Sequence, residues 1–132
     1  MRDLALTGMR ILVLEDEILI AMDVEQLCRE HGADEVVLVH ALDEAGKGPK
    51  VEGGFDAAIL DVALAGRSTL PFAEELSAAG VPFIFATGHA EAEGLFDAFP
   101  GVAVIGKPYG EAMMLEALLR AIAASRAPSG CI

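Results

Sequence analysis

The chain has 132 residues, of which 9 are Lys or Arg and 21 are Asp or Glu, so its formal net charge at pH 7 is −12. This length suits one domain of about 100 to 200 residues, and the negative charge disfavours binding to DNA phosphates or to anionic membranes. The sequence has no apolar run near the roughly 18 residues of a membrane span and no secretory signal at its start. We therefore expect a single soluble domain in the cytoplasm, where Cys28 and Cys131 stay as thiols.

Five short runs rich in Val, Ile, Leu and Phe are predicted to be β-strands. They cover residues 9 to 14, 35 to 40, 55 to 62, 81 to 87 and 102 to 105. Because the runs are apolar on both faces, they are typical of a parallel sheet covered by helices on both sides.

The segments between the runs are predicted to be helical crossovers. The clearest helical patterns cover residues 17 to 30, 70 to 79 and 111 to 125, weaker ones cover 42 to 45 and 91 to 99, and 46 to 50 is predicted to be a surface loop. Pro71 is acceptable in the first turn of the second helix, which Gly80 ends. On the last helix, Met113 and Met114 are expected to fill the core. The alternation predicts a doubly wound α/β fold with a five-stranded parallel sheet.

Polar residues suited to phosphoryl chemistry follow four of the predicted strands. Glu15 and Asp16 follow the first strand, Asp61 ends the third, Thr87 ends the fourth and Lys107 follows the fifth. The carboxyl ends of parallel strands share the edge where doubly wound folds bind ligands. We therefore expect three carboxylates, a hydroxyl and an ammonium to converge there.

Three neighbouring carboxylates repel one another unless a cation lies among them, and oxygen ligands on loops suit Mg²⁺. Beside such an ion, an Asp oxygen can attack phosphorus to form an acyl phosphate. Lys107 would pair with the phosphoryl group, and Thr87 would donate its hydroxyl to it. Each residue by itself has a simpler interpretation. Glu15 and Asp16 would cap the first helix or interact with its dipole, and Asp61 would form a turn. Thr87 would be an ordinary strand residue and Lys107 a surface lysine. Their common place at strand ends favours a phosphoryl-transfer site.

With these residues in place, residues 9 to 125 resemble the receiver domain of bacterial response regulators, a flavodoxin-like (βα)5 fold phosphorylated by a histidine kinase. The resemblance implies that Asp61 is the phosphoacceptor and that Glu15 and Asp16 are the acidic pair, with Asp16 as a direct Mg²⁺ ligand. It also implies that the carbonyl of Ala63 is a further ligand. Residues 1 to 8 would be an N-terminal extension, and 126 to 132 would be a tail.

The same resemblance implies that Thr87 is the switch hydroxyl and Lys107 the family's lysine, followed by Pro108 in a peptide that is cis in receivers. The segment Phe85-Ala86-Thr87-Gly88, preceded by Gly80-Val81-Pro82-Phe83, is similar to the single-domain subgroup nicknamed FATGUY. That subgroup implies a kinase of the HWE or a related type as the partner, with a phosphotransfer protein as a further candidate partner, and no output domain. Such a protein catalyses only its own phosphorylation and dephosphorylation.

The sequence departs from the usual receiver pattern in three places. Val104 stands where receivers usually carry an aromatic residue, for which Phe85 and Tyr109 are the candidate substitutes. Leu64-Ala65 replaces the Met-Pro that commonly follows the phosphoacceptor. Glu15 replaces the usual first Asp of the acidic pair. These departures leave open an alternative, a pseudo-receiver that binds partners without being phosphorylated. A phosphatase is disfavoured because no second acid lies two residues after Asp61, and a dinucleotide-binding domain is disfavoured because G-x-G-x-x-G is absent.

Overall fold

The computed structural model describes residues 5–40, 54–64, 66–87, 99, 101–106 and 110–126. The expected helix at 42 to 45, the loop at 46 to 50 and nearly all of the helix at 91 to 99 lie outside the described residues, as do Lys107, Pro108 and Tyr109. Within the described part of the chain, no helix is both long enough and apolar enough to cross a membrane.

A five-stranded parallel sheet forms the centre of the described structure. In chain order the strands are β1 (Arg10–Leu14), β2 (Glu35–Val39), β3 (Ala57–Asp61), β4 (Ala63–Leu64), β5 (Arg67–Ser68), β6 (Phe83–Thr87) and β7 (Val104–Gly106). The large sheet has the order β2-β1-β3-β6-β7 with every pairing parallel, which confirms the predicted doubly wound sheet. The strands β4 and β5 form a separate antiparallel pair directly after β3, which the sequence did not predict.

Three helices are described: α1 (Ile18–Glu30), α2 (Leu70–Ala78) and α3 (Glu111–Arg126). Each begins and ends within one residue of its predicted bounds. Pro71 lies in the first turn of α2 as expected. Gly80 follows this helix with a φ of +77°, a left-handed conformation that glycine adopts at little cost.

Two hydrophobic clusters cover opposite faces of the sheet. One contains Ile11 and Val13 of β1 together with buried residues of α1 and α3, and the other contains Leu12 and Leu14 of the same strand together with buried residues of α2. Alternate residues of β1 therefore pack on opposite sides, which explains why the strand is apolar throughout.

The two adjacent methionines of α3 have different surroundings. Met114 is buried in the cluster that α1 and α3 share, as expected, but Met113 is 55% exposed. The expectation that both methionines fill the core was therefore wrong for Met113, because successive residues of a helix point in directions about 100° apart.

The chain just before β1 packs against the end of α1. Leu6 is fully buried, and its backbone N–H donates a hydrogen bond of 2.7 Å to the oxygen of His31, which follows α1. This contact lies at the amino end of β1, opposite the edge that carries the candidate site.

The strand register aligns the carboxyl ends of the central strands. Leu14 is paired with Leu60 across β1 and β3, Asp61 with Ala86 across β3 and β6, and Thr87 with Gly106 across β6 and β7. Residues that end these strands, or directly follow them, therefore lie at one edge of the sheet.

Candidate phosphoryl-transfer site

An acidic cluster of Glu15, Asp16 and Asp61 lies at the carboxyl edge of the sheet. One oxygen from each carboxylate lies within 4.8 Å of the other two. The two sequence neighbours reach this point because β1 ends at Leu14, and Asp61 reaches it because it ends the adjacent strand β3. The structure thus brings together the three acids that the sequence predicted to meet.

Glu15 is the buried member of the cluster, with 3% of its surface exposed. Its backbone N–H donates to the oxygen of Val39 at 3.0 Å, and its carboxylate accepts the N–H of Glu17 at 3.0 Å. The backbone oxygen of Glu15 also lies 3.3 Å from Nδ1 of His40. Glu15 therefore binds the N–H of the residue that precedes α1, but no side-chain hydrogen bond caps this helix, so the simpler interpretation as a helix cap was wrong. Glu15 contributes a carboxylate to the cluster.

Asp61 is half-buried at the end of β3 and adjoins the hairpin of β4 and β5. Its Oδ1 accepts the backbone N–H of Ala63, the first residue of β4, at 3.4 Å. The intervening N–H of Val62 donates to the oxygen of Ala86 at 3.3 Å, which extends the contact of this segment with β6. The N–H of Ala63 therefore lies next to the Asp61 carboxylate, whereas the role of the Ala63 carbonyl as a ligand stays a prediction.

The oxygen donors of this cluster fit Mg²⁺. Two oxygens bound to one Mg²⁺ at about 2.1 Å lie at most about 4 Å apart, so a separation within 4.8 Å needs only small side-chain adjustments. Mg²⁺ also keeps several of its waters, which suits a cluster in which Asp16 is exposed and Asp61 half-buried. A divalent cation would offset the mutual repulsion of three carboxylates, one of them buried.

Thr87 ends β6 and is buried, with 6% of its surface exposed. Because Ala86 is the register partner of Asp61, Thr87 lies one residue further along, toward the carboxyl edge. Thr87 is in turn paired with Gly106, the last residue of β7. Lys107 comes next in the sequence, and its position in the site stays a prediction because it lies outside the described residues.

Phe85 is the register partner of Val104, the position where an aromatic residue was expected. Its ring is fully buried and packs edge-on against Phe83 and Phe99, with centroid distances of 5.5 and 5.4 Å. Phe85 is therefore a core side chain. The other proposed substitute, Tyr109, lies outside the described residues.

Thr69 is a residue of the site region that the sequence did not single out. It is fully buried, and its hydroxyl lies 2.6 Å from the backbone oxygen of Asp61 and 3.0 Å from that of Val62. A Thr before an apolar run that contains an early Pro signals the start of a helix. No sequence signal connects it to Asp61, because that contact depends on the fold of the intervening hairpin.

No model of a protein family matches the chain, and no curated protein sequence matches it. Solved structures do match it. SdrG from Sphingomonas melonis Fr1 is 40% identical with a TM-score of 0.71, and the match covers 90% of this chain and 98% of SdrG. A CheY-like response regulator receiver domain protein from Methanospirillum hungatei JF-1 is 26% identical with a TM-score of 0.74, over 90% of this chain and 97% of that one.

The non-phosphorylated HemR receiver domain from Leptospira biflexa is 27% identical with a TM-score of 0.69, over 86% of this chain and 93% of that one. This chain belongs to the response regulator receiver family. The parallel five-stranded sheet of this receiver fits that family, and its acidic cluster lies at the carboxyl edge of the sheet. The comparisons identify the family, whereas the roles of individual residues rest on the geometry above.

Proposed function

We propose that this receiver is a response regulator of a two-component phosphorelay, which accepts a phosphoryl group on Asp61 from the phosphohistidine of a histidine kinase. The observation that carries the proposal is the cluster of Glu15, Asp16 and Asp61, with one oxygen of each within 4.8 Å of the others. Such a cluster suits a divalent cation, and phosphoryl transfer depends mainly on positioning and electrostatic stabilisation. We place the reaction in the cytoplasm, with no role for DNA or membranes.

Each residue of the site has a distinct proposed task. Glu15, Asp16, Asp61 and the carbonyl of Ala63 would hold Mg²⁺, which, when bound, neutralises negative charge on the phosphoryl oxygens. Thr87 would donate its hydroxyl to a phosphoryl oxygen. Lys107 would form an ion pair with the same group.

The proposed transfer begins when a carboxylate oxygen of Asp61 attacks phosphorus. The P–N bond of the phosphohistidine breaks, and its electron pair stays on the histidine nitrogen. In hydrolysis, a water oxygen attacks phosphorus, the P–O bond to Asp61 breaks, and inorganic phosphate leaves with the Asp61 carboxylate restored. Relay of the group to a phosphotransfer protein is the other fate, so the receiver catalyses only its own phosphorylation and dephosphorylation.

We further propose that the receiver domain spans residues 9 to 125, with 1 to 8 as an extension and 126 to 132 as a tail, and that it acts as a single-domain regulator of the FATGUY type. The segment from Gly80 to Gly88 supports this assignment. A kinase of the HWE or a related type would then be the phosphodonor.

An apolar surface beside the acidic cluster supports a protein as the donor. Ile18, Leu19 and Met22 of α1 are 52%, 75% and 54% exposed, and α1 begins one residue after Glu17, whose N–H contacts Glu15. Exposed apolar side chains grouped on one face of a helix are typical of contact surfaces. A protein that brings a phosphohistidine to Asp61 would cover this surface, which we call the α1 patch.

Phosphorylation by a small phosphodonor tests the proposed acceptor without a kinase. Incubation with acetyl phosphate and Mg²⁺ should add one phosphoryl group to the intact protein, as measured by mass spectrometry, and chelation of the metal should prevent it. Asp61→Asn should abolish the addition, whereas Asp56→Asn, which changes an exposed carboxylate before β3, should not. Labelling that persists in Asp61→Asn would remove this residue as the acceptor.

The alternative function is a pseudo-receiver that binds partners without phosphorylation. The observation that favours it is the full burial of Phe85 beside Val104, which leaves the described part of β6 and β7 without a partly exposed aromatic ring. Beryllofluoride mimics the phosphoryl group, so it separates the two functions. If Mg²⁺ and beryllofluoride shift the amide resonances of Asp61 and Ala63, the phosphoacceptor is supported; if neither does, the pseudo-receiver is supported.

A further inference from the structure

Thr69 connects the start of α2 to the peptides that follow Asp61. Its hydroxyl lies 2.6 Å from the oxygen of Asp61, and its backbone N–H donates to the oxygen of Val62 at 2.9 Å. A hydroxyl has one proton to donate, so the longer contact of 3.0 Å between this hydroxyl and the oxygen of Val62 is the weaker one. The two donors of Thr69 thus serve two successive carbonyl groups.

These bonds determine the orientation of two peptide planes. The oxygen of Asp61 belongs to the plane between Asp61 and Val62, and the oxygen of Val62 belongs to the plane between Val62 and Ala63. Because each peptide is planar, a bond to its oxygen also orients the N–H on its other side. The N–H of the second plane is that of Ala63, which lies 3.4 Å from Oδ1 of Asp61. The backbone N–H of Thr69, together with the weaker contact of its hydroxyl, therefore acts on the Asp61 carboxylate through the Ala63 N–H. The stronger bond of the hydroxyl holds the first plane, which carries the oxygen of Asp61 and the N–H of Val62.

Thr69 is itself held in place from several directions. Its surface is fully buried, and its own backbone oxygen accepts the N–H of Ala73 in α2 at 2.9 Å. A buried hydroxyl without a partner is costly, so Thr69 keeps these contacts with Asp61 and Val62. The start of α2 and the peptides after Asp61 therefore form one connected unit.

We propose that Thr69 is a positioning residue of the phosphoryl-transfer site, whose hydroxyl holds the peptide that follows Asp61 and so sets the orientation of the Asp61 carboxylate toward the divalent cation. This inference rests on the proposed function for its chemistry. Its structural part concerns only this chain and holds without any metal.

The test compares Thr69→Val, which has nearly the same shape without the hydroxyl, with Thr69→Ser, which restores it. Residues that orient metal ligands typically change metal affinity by about 10 to 100-fold, so Thr69→Val should weaken Mg²⁺ binding at least about tenfold in calorimetric titration and slow phosphorylation by acetyl phosphate. Thr69→Ser should recover both. If Thr69→Val does not fold, Thr69→Ala takes its place.

A matched control separates positioning from stability. Val81→Ala removes volume from the hydrophobic cluster that contains the buried residues of α2, and Val81 precedes β6, at the end of the sheet opposite to Asp61. It should therefore lower the melting temperature and leave the Mg²⁺ dissociation constant unchanged. Equal weakening of Mg²⁺ binding in Val81→Ala and Thr69→Val would overturn the inference, as would wild-type Mg²⁺ affinity in Thr69→Val.

A metal-free measurement distinguishes failure of the inference from failure of the proposed function. Hydrogen exchange of the Val62 amide, whose N–H bonds to Ala86, should be faster in Thr69→Val than in the wild type, with Ile59 in the middle of β3 unchanged. If the wild type neither binds Mg²⁺ nor accepts a phosphoryl group, the proposed function fails, and this exchange still decides whether Thr69 holds the peptide. Unchanged exchange at Val62 would overturn the inference.

Discussion

Phe85 is aligned with Val104 across the β6 and β7 ladder, and its ring is fully buried between those of Phe83 and Phe99. Receivers usually carry an aromatic side chain at the position that Val104 holds. In this receiver the neighbouring aromatic ring has become part of the hydrophobic core, so its outward movement would open a cavity. Phe85 therefore does not supply a partly exposed aromatic ring beside Val104.

Replacement of Phe85 by Leu should lower the free energy of unfolding by about 1 to 3 kcal/mol, because both edge-on ring contacts and part of the packing are lost. Urea unfolding followed by circular dichroism measures this change. Val104→Ala is the control, with a smaller expected loss because Val104 is only partly buried. Folded Phe85→Leu should still accept a phosphoryl group from acetyl phosphate at the wild-type rate, and a slower rate would contradict a purely structural role.

Removal of Mg²⁺ should destabilise the wild type more than a variant that lacks one charge of the cluster. An ion that binds only the folded state at 100 times its dissociation constant adds about 2.7 kcal/mol to the free energy of unfolding. Glu15→Gln should lose most of this gain in stability. In the presence of a chelator, this variant should be at least as stable as the wild type, because one like-charge repulsion is removed.

Thermal unfolding with and without Mg²⁺ measures both effects. Asp23→Asn, which changes an exposed acid of α1, is the control and should keep the full Mg²⁺ response. If Glu15→Gln responds to Mg²⁺ as strongly as the wild type does, Glu15 does not contribute to the cation site.

Cys28 should make the stability of the fold decrease in alkaline solution. Burial raises the pKa of its thiol from 9.0 to about 11, so the folded state keeps a proton that the unfolded state releases. This contribution is fully present below about pH 9 and is lost as the pH rises toward about pH 11, and two pKa units correspond to about 2 to 3 kcal/mol.

Urea unfolding across this pH range measures the effect. Cys28→Ala should be less stable at neutral pH because of lost packing, but its free energy of unfolding should fall less steeply with pH. Parallel pH profiles for the variant and the wild type would show that the thiol does not cause the decrease.

Changes in the α1 patch should affect phosphorylation by a kinase and leave phosphorylation by acetyl phosphate intact. Leu19 is 75% exposed, so Leu19→Ser should alter the fold little while it removes apolar contact area for a protein donor. We expect at least about a fivefold slower transfer from a histidine kinase that phosphorylates the wild type, since a loss of about 1 kcal/mol at an interface has this effect.

Met113→Ser is the matched control, because Met113 is also an exposed apolar side chain, at 55%, but lies on α3. Its transfer rate should equal that of the wild type. Equal slowing by both substitutions would show that the effect is not specific to α1.

Much of the fold could be predicted because each element carries its own signal. Strand runs such as Leu12 to Leu14 are apolar on both faces, and the stripe of α1 that contains Val24 and Leu27 repeats at helical spacing, so element type follows from local pattern. The hairpin of β4 and β5 was missed because two-residue strands are too short to show a period. Met113 was misplaced because it lies off the stripe of buried residues that repeat every four positions on α3, to which its neighbour Met114 belongs.

The sequence by itself determined that Glu15, Asp16 and Asp61 belong to one edge of the sheet, because parallel strands joined by helices must end together. Only the tertiary structure decided that Glu15 is buried while Asp16 is exposed, and that Thr69 lies against the backbone of Asp61. Local patterns follow from the spacing of neighbours along the chain. Contacts between residues eight or more positions apart depend on how the intervening segment turns, and that is settled only when the whole core packs together.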